Sequence, residues 1–156
     1  MRKRLIPAGC AGAPVLEEPG LDLLRLARVE VTSEAPEHPI EDALLPGGGG
    51  WRAAAPGPQI VRLWFDEPQR IQHIGLRFID AQHDRRQEFV LRWSADGQSF
   101  KDIVRQQWNF SPSGATSEVE DYAVVLTGVK ALELRITPDI SGGNVTASLA
   151  ELRLAA

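Results

Sequence analysis

The chain has 156 residues, of which 43% are hydrophobic and 24% charged, and its formal net charge at pH 7 is -4. That length suits one compact domain burying roughly two-thirds of the surface its unfolded chain exposes, and the composition is that of a globular chain, not a disordered or collagen-like one. The acidic balance leaves no broad cationic field for collecting nucleic acid or anionic lipid, and no stretch approaches the roughly 18 apolar residues of a membrane-spanning helix.

Residues 1 to 20 come first, and they hold Pro7, Pro14, Pro19, Gly9, Gly12 and Gly20 without apolar periodicity. Such a stretch reads as a flexible arm, with a domain over 21–156. The basic start Met1-Arg2-Lys3-Arg4 leads into an apolar pair, Leu5-Ile6, that is too short for a secretory signal. Cys10 is the only cysteine, so no internal disulfide forms and zinc sites needing two thiolates are excluded. These features suit a reducing cytoplasm. Lys3, Lys101 and Lys130 are the only lysines, and arginine supplies the remaining cations, a bias that suits a GC-rich coding sequence.

Leu21 to Leu26 is apolar enough to anchor the arm, and from Ala27 onward hydrophobic residues recur at every second position. Val29 and Val31 begin the pattern. Residues 38–45 are the one stretch suited to a short helix, and Gly47 to Gly50 follow as a flexible connection. A phosphate-cradling loop would need a helix after those glycines, and Trp51-Arg52 and Pro56 stand there instead. Val61, Leu63 and Phe65 resume the alternation, then Ile74, Leu76 and Phe78, then Phe89, Leu91 and Trp93. Ser94-Ala95-Asp96-Gly97 is a tight turn toward Phe100 to Val104. Tyr122, Val124 and Leu126 follow, then Leu132, Leu134 and Ile136, and finally Leu152 and Leu154. Seven or eight short strands with almost no 3.6-residue period predict an all-β fold, an antiparallel β-sandwich of two packed sheets.

No motif for catalysis or metal binding stands out. The three histidines, His38, His73 and His83, lack the spacing of a metal site. There is no Gly-x-Ser-x-Gly elbow, and Cys10 lies in the arm. Carboxylate pairs such as Glu17/Glu18 and Glu120/Asp121 carry no spacing information on their own. An enzyme is not expected. In a sandwich, ligand contacts fall to loops at one end. The segment Arg105 to Pro112 sets Trp108, Asn109 and Phe110 among amides in a stretch read as a loop running to about Ser117. Aromatic faces cover the C–H patches of a pyranose while amides and arginines bond its hydroxyls, so this mixture suits a carbohydrate. The alternative is that Trp108 or Phe110 turns inward to cap the core. The charged stretch 80–87, with His83, Arg85 and Arg86, adds donors, as do His38 and Arg52.

In their order, these landmarks resemble the discoidin domain, also called the coagulation-factor type C domain, of the galactose-binding-like jelly-roll fold. The resemblance runs from Ala27 to Leu154. It rests on Val29-Glu30-Val31-Thr32-Ser33, on His38 to Leu44 leading into Gly50-Trp51-Arg52-Ala53, and on Ile60 to Ile71. It also rests on Glu88 to Phe100 with its Ser-x-Asp-Gly hairpin, and on the closing stretches Leu132 to Ile136 and Ser148 to Leu152. It implies a non-catalytic module that binds sugar, phospholipid head group or protein through variable loops. The family's terminal disulfide cannot form here, and its acidic calcium loop is replaced by Leu45 to Gly50. No cofactor is therefore expected, with Glu151 and backbone carbonyls the remaining ligands for a structural calcium. Residues 40–76 are also similar to the amino-terminal domain of the eukaryotic single-strand-break repair scaffold, which implies protein docking or, against the acidic balance, DNA-end binding. The expected partner is a carbohydrate, or else a protein in an intracellular scaffold.

Overall fold

The structure is a computed structural model and describes residues 20–156. The arm expected over residues 1 to 20 thus lies almost wholly outside the described residues. The elements in chain order are a helical turn α1 (Leu23–Leu26), β1 (Ala27–Val31), a second turn α2 (Glu41–Leu44), β2 (Trp51–Pro56), β3 (Gln59–Ile79), β4 (Arg85–Ser94), β5 (Lys101–Phe110), β6 (Ser117–Thr137), β7 (Thr146–Leu149) and β8 (Glu151–Ala155). The short helix expected within 38–45 is α2.

The expected short strands become eight strands, of which β3 and β6 run for 21 residues each. Both bend midway and serve both layers. The first halves of the pairing, Gln59↔Ile136 to Trp64↔Ala131, lie in a layer ordered β1-β3-β6-β4-β5. After the register slips between Trp64 and Gln69, the pairing from Ile71↔Leu126 to Ile79↔Ser117 builds the other layer, with β8 on the far side of β3. The slip falls where Pro68 has no N–H to donate and where Gly128 takes φ +68°, a backbone conformation that a side chain disfavours. β2 and β7 form a separate two-stranded ribbon.

Period-two alternation turns one row of each strand inward. Val61, Leu63 and Phe65, Ile74, Leu76 and Phe78, Leu132, Leu134 and Ile136, and Leu152 and Leu154 are all buried in one hydrophobic core with Trp51. Phe78 of one layer stacks on Phe89 of the other at 5.3 Å between ring centroids, so the layers meet directly. Trp51 anchors the ribbon through Nε1, which donates to the carbonyl of Ser33 at 3.0 Å. The 94–97 turn is held by Asp96, whose Oδ1 accepts the N–H groups of Gln98 at 2.7 Å and Ser99 at 2.8 Å. Those bonds hold the exposed Asp96 carboxyl down to about 2. Gly97 has φ +80°, and a Cβ there would sit 3.1 Å from Trp64 Cζ3.

The outer face of the first layer carries a row of alternating charge in register across all five strands: Glu30, Arg62, Glu133, Arg92 and Asp102. Opposite charges directly across a sheet attract. Glu133 is buried at the centre, accepting from Arg62 Nε at 2.9 Å and Arg135 Nε at 2.6 Å, with Arg92 Nη1 at 3.4 Å. Burial pushes its carboxyl up, but the bonds and charges of Arg135 and Arg62 outweigh that and hold it below the ordinary carboxylate value.

Candidate functional site

Three connections gather at the end of the sandwich where β4 begins and β5 finishes: residues 80–84, 111–116 and 138–145. The Asp80 N–H donates to the Thr116 carbonyl at 2.8 Å, which joins the first two, and the Ile140 N–H donates to the Arg86 carbonyl at 2.9 Å, which fastens the third to the start of β4. Between them is an open depression of about 480 Å³ lined by Asp84, Arg85, Arg86, Asn109, Phe110, Ser111, Asp139 and Ser141.

Its floor is Arg85, a buried arginine with every contact internal. Nε donates to Asp80 Oδ2 at 2.7 Å, Nη1 donates to Gln87 Oε1 at 3.1 Å and to the Pro138 carbonyl at 2.7 Å, and the guanidinium lies 4.4 Å from the centre of the Phe110 ring. A buried cation needs such partners to offset its lost hydration. Asp80 in turn accepts the N–H groups of Gln82 at 2.9 Å and His83 at 3.2 Å, and its Oδ2 lies 2.9 Å from His83 Nδ1. Burial raises the Asp80 carboxyl, but the Arg85 bond and charge, with the Gln82 N–H and His83, hold it below its ordinary value.

The rim is exposed and mixed in character. Arg86 donates from Nε to Asn109 Oδ1 at 3.0 Å, and Asp139 Oδ1 accepts the Ser141 N–H at 3.0 Å. Together with Asp84 and Ser111, these groups offer donors and acceptors side by side, the pattern that matches hydroxyls, which both give and take hydrogen bonds.

Trp108, Asn109 and Phe110 end strand β5 and are not a loop, and the strand alternation separates them. Asn109 faces out. Phe110 turns in and is completely buried, so its ring meets Arg85 and not solvent. Trp108 is half-buried against the core, and its Nε1 is buried without a partner. Neither ring forms an open stacking wall. Arg85 is a floor and Arg86 a rim group, while His83 is exposed and tied to Asp80. His38 and Arg52 adjoin each other, the Arg52 N–H donating to the His38 carbonyl at 3.2 Å, and among the described residues no hydrogen bond joins them to the depression. Asp139 and Ser141 fall outside the stretches singled out in the sequence, and Ser111 lies at the end of the Arg105 to Pro112 segment. Their signal was the Pro138-Asp139 and Ser111-Pro112 punctuation between strands. Among the described residues no group of three or more His, Cys, Asp or Glu side chains is placed to hold a metal ion, and no helix is long and apolar enough to cross a membrane.

No family model matches the chain, and no curated protein matches its sequence. Solved structures do. The module CBM32-5 from Clostridium perfringens, in complex with GalNAc-β-1,3-galactose, is 18% identical with a TM-score of 0.64, covering 88% of this chain and 100% of that one. The family 32 module of NanJ from the same organism, in complex with galactose, is 12% identical with a TM-score of 0.63, covering 86% of this chain and 97% of that one. A chitosan-binding module from Paenibacillus is 14% identical with a TM-score of 0.63, covering 89% and 100%. At such identities the likeness is one of fold: the chain is a β-sandwich of the galactose-binding-like type, the fold expected from the resemblance to discoidin domains.

Proposed function

We propose that the chain is a non-catalytic carbohydrate-binding module that holds a saccharide in the depression formed by residues 80–84, 111–116 and 138–145. The observation that carries this reading is the mixed polar rim of Asp84, Arg86, Asn109 and Asp139 over a fixed Arg85 floor. Arg86 and Asn109 donate to ring oxygens and hydroxyls, and Asp84 and Asp139 accept from hydroxyls. With Phe110 covered, binding relies on hydrogen bonds more than on stacking, which favours a weak and orientation-specific site. The likeness to modules solved with galactose and with GalNAc-β-1,3-galactose supports the reading.

A glycan array followed by calorimetric titration tests it. Saturable binding of a neutral saccharide is expected, weakened at least about tenfold by Arg86→Ala, the loss of one charge-assisted hydrogen bond. Binding left unchanged by Arg86→Ala, or no glycan bound at all, would sink the reading.

A further inference from the structure

A polar chain leads from the depression into the sandwich. Arg85 donates to Gln87 Oε1 at 3.1 Å, and Gln87 Nε2 donates to Glu118 Oε1 at 3.2 Å. Gln87 and Glu118 are both fully buried. Among the described residues Glu118 Oε2 has no partner, and neither has the Nε1 of Trp108, the cross-strand neighbour of Gln87. Around Glu118 stand Arg85 and Gln87 from β4, Glu120 and Tyr122 from β6 itself, and Phe78 as its partner on β3, with Trp108 of β5 one step further as the partner of Gln87. Arg85 is the one cation in that set, and Asp80 already engages it. Burial, then the nearby Glu120 carboxylate, push the Glu118 carboxyl up to about 8 against the weaker pull of Gln87 and Arg85, so it is a neutral acid at pH 7.

Among the described residues Asp80 is the carboxylate bonded to Arg85, and it organises the 80–84 turn through the Gln82 and His83 N–H groups. Removing the Glu118 proton sets a second carboxylate at the far end of the same chain. Charge-assisted bonds are roughly twice as strong as neutral ones. The stronger pull relayed through Gln87 then competes with Asp80 for the Arg85 guanidinium.

We propose that Gln87 and Glu118 are positioning residues for the depression, fixing Arg85 and through it the 80–84 turn, so that the turn loosens when Glu118 loses its proton. Only the consequence for saccharide affinity rests on the carbohydrate reading.

The test uses the full chain carrying His83→Gln, which removes the imidazole from the turn. The Gln82 amide and Arg85 Nε–Hε NMR signals are followed from pH 6 to 10. Both are expected to move together with one midpoint between pH 7 and 9, and to stay still when Glu118→Gln is added. Gln87→Met cuts the chain at its middle link, and there the turn signals stay still while the Glu118 carboxyl carbon still titrates. Immobile turn signals in the His83→Gln chain, or signals that still titrate with Glu118→Gln or Gln87→Met, overturn the proposal. Calorimetry with galactose forms a separate arm, in which affinity falls by at least about fivefold from pH 6.5 to 9.5, the lower end of ordinary couplings between sites. If the turn follows Glu118 and no saccharide binds at either pH, the carbohydrate reading fails and the positioning role stands. If galactose binds equally at both and the turn is still, the positioning role fails alone.

Discussion

Strand β6 carries two buried carboxyl groups in opposite electrostatic states, Glu133 in its second half and Glu118 near its start. Glu133 points outward into a row where the strands on both sides supply arginines, and it stays ionised. Glu118 points inward, where it meets an amide, another carboxylate and an arginine already engaged by Asp80, and it holds its proton to about 8. The two are equally hidden from water. What separates them is which residues the register brings opposite, so burial sets the cost of a charge and cross-strand partners decide whether it is met.

Removing either carboxyl tests that contrast. Glu133→Ala leaves Arg62, Arg92 and Arg135 converging with no counter-charge. Because their side chains are 29%, 26% and 49% exposed, water meets part of the deficit, and urea denaturation at pH 7 is expected to give a loss of about 2–3 kcal/mol, below the full figure for a broken buried pair. Equal stability of Glu133→Ala and the native chain would mean that the charge row is ornamental. Glu118→Gln works through pH. A carboxyl raised on folding keeps its proton in the folded chain over a range where the unfolded chain has lost it. Its contribution is complete below the unfolded value of about 4.5 and disappears as pH rises through about 8. The native chain should therefore lose up to about 4 kcal/mol between pH 5 and 9, and Glu118→Gln should be flatter over that window when thermal unfolding is compared. A native stability that rises over the same window would reverse the assignment. The smallest effect belongs to Arg105, which pairs with Glu88 on the same outer face but is itself largely exposed. Arg105→Ala should change stability by under about 0.5 kcal/mol, since exposed pairs contribute little; a larger loss would mean that arginine number and not burial governs this face.

The layers were legible in the chain because alternation survives translation into structure: the rows Val61, Leu63, Phe65 and Leu132, Leu134, Ile136 are the inner rows. The continuity of β3 and β6 was not, since Pro68 and Gly128 punctuate the pattern, and only the pairing of partners shows that the chain crosses them as a bent strand. The site was partly legible. The charged stretch 80–87 and the segment around Asn109 do meet at one depression, but phase within a strand assigns the roles. A step of one residue turns Arg85 inward as a floor and Arg86 outward as a rim, and the same step hides Phe110 and presents Asn109. Gln87 and Glu118 carried a usable signal, being polar residues in phase with inward rows, yet without the opposing strand that phase cannot be told from a solvated face.

Because β3 and β6 each pass from one layer to the other without leaving strand conformation, the two halves of the sandwich are fastened by unbroken main chain at two neighbouring points. Neither half has a closed set of backbone partners by itself, and pairings such as Gln59 with Ile136 must wait until most of the chain is available. Assembly is accordingly all-or-none and slow, with neither sheet surviving as an independent fragment.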